Sequence, residues 1–120
     1  MGDLFRLTTG PTRVTTTDAQ NIKEVQQVTA YKGFDLLLQV YELSGTVLSL
    51  TVKVETSMQN LSSDAVLWQP LGTFTAVTSA NKTEALSITS GVLQYVRFYV
   101  TLGVNTSSAT FDITGIARPG

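Results

Sequence analysis

Phe34-Asp35-Leu36-Leu37-Leu38-Gln39-Val40-Tyr41 and, beyond Ser44-Gly45-Thr46, Leu48-Ser49-Leu50-Thr51-Val52-Lys53-Val54-Glu55 decide the fold class of this chain. An apolar residue returns at every second position: Phe34, Leu36, Leu38 and Val40, then Leu48, Leu50, Val52 and Val54. Successive side chains of a strand point to opposite faces, so a period of two means a strand with one buried face. In the second run the other face is wholly polar, as expected of a strand that shows water one side. With a Gly-containing turn between them, the two runs read as a hairpin covering 34–43 and 48–55.

The same period extends outward. Val96, Phe98, Val100 and Leu102 alternate with Leu93, Tyr95, Arg97 and Tyr99, and Ala109, Phe111 and Ile113 alternate with Thr110, Asp112 and Thr114. Shorter strands are expected over 73–78 and around Leu86 and Ile88, with polar turns at 79–82 and Ser90-Gly91. The tail from Ile116, containing Pro119, is expected to be loose. Residues 18–29 stay open between two readings. Thr17 with Gln20 and the three-residue spacing of Ile22, Val25 and Val28 favour a short helix, whereas the β-branched run Val25–Thr29 favours a strand. Residues 1–17, rich in Thr and broken by Gly10-Pro11, read as an N-terminal arm or edge strand. Seven or eight short strands separated by polar turns indicate an all-β fold. The expected architecture is a two-sheet antiparallel sandwich, jelly-roll-like, with a single domain over 18–120 behind an extended arm.

Composition supports strands and narrows function. The chain has 120 residues, long enough to bury a core without a metal or disulfide. Nineteen are Thr, a β-branched residue suited to a pleated surface. Charged residues are only 14 % and the net charge is −1, so the surface repels its neighbours weakly and assembly is favoured. The eight basic residues are scattered, without the clustered charge that nucleic acid requires. No run reaches the length of a membrane helix, and the first residues resemble no signal peptide. These features point to manufacture in a cytoplasm, with no nucleic-acid or membrane partner.

Catalysis is not expected. With neither Cys nor His, thiolate and imidazole chemistry is absent, as are most transition-metal sites, and no cofactor motif is present. The carboxylates form no local pair, and a Ser nucleophile would lack an activating base. Asn60, Ser62, Ser63 and Asp64 are the one cluster of oxygen ligands, read as a hydrogen-bonded loop in preference to a calcium site.

Binding is better supported. With Val96, Phe98 and Val100 turned inward, Leu93, Tyr95, Arg97 and Tyr99 turn outward, and Leu37 and Tyr41 likewise leave the core face of their strand. Tyr and Arg are favoured at interfaces because they bring large area at modest entropy cost. These six are the candidate interface, set against the alternative that loops of the chain cover them. Trp68 reads either as an exposed stacking platform or as a plug in the core.

Three stretches together carry a resemblance. They are Leu50-Thr51-Val52-Lys53-Val54-Glu55-Thr56-Ser57; then Ser63-Asp64 followed by Trp68 and Gly72-Thr73-Phe74; and Gln94-Tyr95-Val96-Arg97-Phe98. Their order, between Phe34 and Ile113, resembles discoidin-like jelly rolls, including short versions in phage virion proteins. The chain departs from that pattern in lacking a Gly after Asp64 and the terminal cysteines of secreted members. The resemblance implies a non-enzymatic capsid-decoration, head-fibre or tail accessory protein. Its partners would be other virion proteins, it would form a dimer or trimer, and it would reside in the virion after assembly in the host cytoplasm. The alternative is a carbohydrate-binding or lectin-like domain using Trp68 and Tyr31 for stacking.

Overall fold

In the computed structural model, residues 3–8, 11–15, 17–19, 26–28, 31–46, 48–58 and 68–119 are described. They form strands β1 (Asp3–Arg6), β2 (Thr12–Val14), β3 (Asp18–Ala19), β4 (Gln26–Gln27), β5 (Tyr31–Gly45), β6 (Leu50–Ser57), β7 (Gln69–Thr73), β8 (Lys82–Ile88), β9 (Tyr95–Leu102) and β10 (Thr106–Pro119). There is no helix among them.

The strands make two antiparallel sheets. The first runs β1-β10-β5-β8, with β2 also on the free side of β10; the second runs β3-β9-β6-β7, with β4 also on the free side of β9. β1 and β2 thus share one edge position, and β3 and β4 another, which leaves eight positions. The chain passes from the first sheet to the second at β3, returns at β5, crosses again to β6 and β7, then alternates through β8, β9 and β10. That is the strand order of an eight-stranded jelly roll.

The inner faces come from the alternation that marks the sequence. Phe34, Leu36, Leu38 and Val40 of β5, with Ala109, Phe111 and Ile113 of β10, face Leu50, Val52 and Val54 of β6 and Val96, Phe98 and Val100 of β9, all buried. Phe98 meets Phe111 edge-on across the two sheets, ring centroids 5.3 Å apart at 82°. Burying side chains of this size stabilises by roughly 1.5–3 kcal/mol each. Leu7, Val28, Phe74, Val77 and Ile88 complete the core.

The expected 34–43/48–55 hairpin does not form. β5 pairs with β10 and β8, and β6 pairs with β9 and β7, so the two strands lie in opposite sheets. Alternation reports only that a strand has one buried face, and that face can be shared across a core as well as within a sheet. Gly45 makes the crossing possible. Its φ is 145°, and a Cβ there would collide with the backbone oxygen of Asn105, so only Gly fits.

Two other expectations change. The strand placed at 73–78 is centred earlier, on Gln69–Thr73. After it, Phe74 N–H donates to Val52 O at 3.0 Å, and Val77 exchanges two hydrogen bonds with Leu50. The tail is not loose: Ile116 and Ala117 continue β10 between β1 and β5, and Arg118 stays paired with Gly33 of β5. Pro119 falls at the strand terminus, where a missing N–H breaks no interior ladder. Within residues 1–17, β1 and β2 are edge strands bonded to β10. Of the open segment 18–29, the described parts are strands on β9, while 20–25 and 29–30 lie outside the described residues.

Candidate interface on the outer faces of the sheets

The outer face of the second sheet is built from the residues between the core positions of β6 and β9. Lys53 stands opposite Tyr99, Glu55 opposite Arg97, and Ser57 opposite Tyr95. The Arg97 guanidinium donates to Glu55 Oε1 through Nε at 2.9 Å and approaches it through Nη2 at 2.9 Å. Lys53 Nζ lies 3.4 Å from Glu55 Oε2 and 5.3 Å from the centre of the Tyr99 ring. Trp68 stacks on the Arg97 guanidinium, its ring centre 4.3 Å from Arg97 Cζ. Arg97 is consequently 1 % exposed and Trp68 4 %. A cation stacked on an indole and bonded to a carboxylate is well satisfied despite its burial.

Thr56 anchors the approach to β9. Its hydroxyl donates to Tyr95 O at 2.8 Å and accepts from Leu93 N–H at 2.9 Å. Leu93 therefore sits in the connection before β9 and not within the strand.

The outer face of the first sheet is open. Leu37 is 36 % exposed, Ile116 44 % and Tyr41 45 %. Phe5, Arg6, Leu37, Thr114, Gly115 and Ile116 line a shallow depression of about 540 Å³. Matched charges flank it. On one side Asp112 accepts from Arg6 Nη2 at 2.6 Å and from the Thr8 hydroxyl, which itself accepts from Ile113 N–H at 3.1 Å. On the other, Asp35 accepts from Arg118 Nε at 3.1 Å and from Ser87 Oγ at 2.8 Å. The Arg118 and Ser87 bonds hold the Asp35 carboxyl below its ordinary value of 3.8. An apolar centre inside a polar rim is the usual anatomy of a protein interface.

The six residues read from the sequence as one interface are thus divided. Leu37 and Tyr41 lie on the open face, whereas Tyr95, Arg97 and Tyr99 lie on the opposite face, with Arg97 beneath Trp68. Leu93 adjoins that second group, and Tyr95 and Tyr99 are half-buried. Trp68 is neither an exposed platform nor a plug in the sandwich core. It is buried on the outside of a sheet, and its stacked ring offers no open face to a sugar. Tyr31 is half-buried 6.0 Å from the Phe34 ring, so it shares no platform with Trp68. Sequence reasoning missed Phe5, Arg6 and Ile116, because the tail from Ile116 was expected to be loose and residues 1–17 were read as an arm or edge strand set apart from the domain. Period-two spacing through Phe111, Ile113 and Ala117 was the signal that β10 continued.

Among the described residues no group of three or more acidic side chains is placed to hold a metal. Asp35, Glu55 and Asp112 are engaged in the ion pairs above, and Glu42 accepts from Ser44 and Ser108. The loop with Asn60, Ser62, Ser63 and Asp64 lies outside the described residues, and with it the Ser63-Asp64 part of the second resemblance stretch. No described helix is long and apolar enough to cross a membrane. Comparison with known protein families and with curated protein sequences finds no match to the chain.

Proposed function

We propose that the chain is a non-catalytic structural protein of a phage particle, a capsid-decoration or head-fibre or tail-attachment protein that docks on other virion proteins and associates with itself. The observation that carries this reading is the contrast between the two outer faces. On one, Trp68 stacks over a buried ion pair, and the other exposes Leu37 and Ile116 at an apolar depression, with Tyr41 exposed on the same face. An exposed apolar patch rimmed by polar groups marks a binding surface on a soluble domain. The jelly-roll strand order supports the reading, since capsid proteins use this fold. So does the low charge, which limits repulsion between packed copies.

The test is sedimentation of the purified chain with particles of the phage that encodes it, comparing the parent with Leu37→Asp and Ile116→Asp. Both positions are exposed, so the variants stay folded, and they should lose particle binding. Binding that survives both substitutions, or particles that never carry the chain, would overturn the proposal.

A further inference from the structure

The outermost strands of a sheet carry backbone groups without partners, and such edges accept further strands. Among the described residues this sandwich has four edges, and three are blunted. β1 and β2 form an interrupted edge with Gly10-Pro11 between them in sequence. β3 and β4 are two residues each. β7 contains Pro70, and its register with β6 shifts between Val54 and Glu55. The fourth edge differs. β8 runs seven residues, Lys82–Ile88, without Pro or Gly, in unbroken register with β5. No strand among the described residues lies on its far side.

We propose that β8 pairs antiparallel with β8 of a second copy of this chain, about a twofold axis at Ala85. In that register Lys82 faces Ile88, Thr83 faces Ser87, Glu84 faces Leu86 and Ala85 faces its own copy, so all seven residues pair. The neighbouring registers are worse. An axis at Glu84 sets two carboxylates opposite one another. One at Thr83 recruits Asn81, whose φ of 58° ends the strand. One at Leu86 leaves Lys82 and Thr83 facing residues beyond β8.

The outward row at the junction, Thr83, Ala85 and Ser87, is small and exposed. Its Thr–Ser contacts are favourable cross-strand pairs. A second copy fits this edge because the strand is its own complement in this register, with no like charges meeting. Pairing also extends the open face. Arg6, Thr114, Leu37 and Ala85 form one row of cross-strand partners, and the twofold continues that row through Ala85 into Leu37 and Thr114 of the second copy. The inference rests on the self-association in the proposed function and specifies where it occurs.

Cysteine cross-linking tests it, because the chain has no Cys of its own. Facing Cα atoms in an antiparallel pair are about 4.5–5.5 Å apart, within the span of a disulfide. Ala85→Cys should therefore oxidise to a covalent dimer, doubling the mass on a non-reducing gel. Light scattering should find the same doubled mass for the unmodified protein. In this register the two copies of residue 83 are about 13 Å apart, at roughly 3.3 Å per residue. Thr83→Cys should thus stay uncoupled alone and form a mixed disulfide with Ser87→Cys. A monomer by light scattering at every concentration would overturn self-association altogether. An oligomer in which Ala85→Cys fails to couple, or couples no better than Thr83→Cys, would overturn the β8 junction and leave self-association standing.

Discussion

Replacing Arg97 by Met probes the closed face most directly, because Met keeps an unbranched stem beneath Trp68 and removes only the guanidinium. Glu55 would then retain Lys53 at 3.4 Å, an ammonium whose side chain is 41 % exposed. Removing one partner of a buried ion pair costs about 3–5 kcal/mol, since the other charge is left uncompensated. The nearby Lys53 places this case at the low end, about 3 kcal/mol. Loss of the cation–π contact adds on the order of 1 kcal/mol. A domain of ordinary stability, about 5–15 kcal/mol, survives that loss but unfolds at much lower denaturant. With a urea slope of about 1–3 kcal/mol/M, the midpoint should fall by more than about 1 M. Trp68 is the only Trp, so its emission follows the site while far-UV circular dichroism follows the sheets. A second variant separates charge from packing: Arg97→Met combined with Glu55→Leu replaces the pair by apolar groups and should recover most of the loss. A single variant within about 1 kcal/mol of the parent, with Trp68 emission unmoved, would refute the account of Arg97 as the centre of this face.

Three further outcomes follow from the first sheet. Thr8→Val removes the hydroxyl that joins Asp112 to Ile113 N–H and should cost about 1–3 kcal/mol; faster hydrogen exchange at Ile113 is the specific readout, and unchanged protection would contradict it. Gly115→Ala drives a Cβ into the backbone oxygen of Asp35, so β10 and β5 must separate; a thermal midpoint equal to the parent's would show that the strands yield freely there. Asp35 has its folded-state pKa lowered by Arg118 and Ser87, so its stabilising effect is complete above the ordinary carboxylate range and disappears as pH falls through the lowered value. Asp35→Asn should therefore differ most from the parent near neutrality and converge with it in acid, and a pH-independent difference in denaturation midpoints would exclude this role.

Strands were legible where one face meets the core and the other meets water. Leu50 to Glu55 alternates without exception, and β6 forms there. Pairing was not legible, because Phe34–Val40 and Leu50–Val54 show the same period whether they share a sheet or face each other across a core. A four-residue turn with Gly45, 44–47, permits either result, and only the positive φ at Gly45 marks the corner. The length of β10 was obscured for a different reason. Gly115 and Pro119 are weak strand formers in isolation, yet β1 and β5 bracket the segment and tertiary pairing overrides propensity. Likewise Tyr95, Arg97 and Tyr99 share the pattern of any outward row, and nothing in their spacing reveals that Trp68 returns from a distant connection to cover Arg97.

The placement of charge explains why one face is closed and the other open. A chain with 14 % charged residues has few with which to keep a surface wet. On the second sheet, Arg97 and Glu55 pair beneath Trp68 and contribute to structure instead of hydration. On the first, Arg6–Asp112 and Arg118–Asp35 neutralise one another at the flanks of the depression, so neither end of the face carries excess charge of one sign. Approach of another surface to Leu37 and Ile116 therefore meets little electrostatic repulsion, and the gain comes from apolar area removed from water. In the proposed docking role, matched flanking pairs favour a partner surface that presents both signs over a uniformly charged polymer such as nucleic acid.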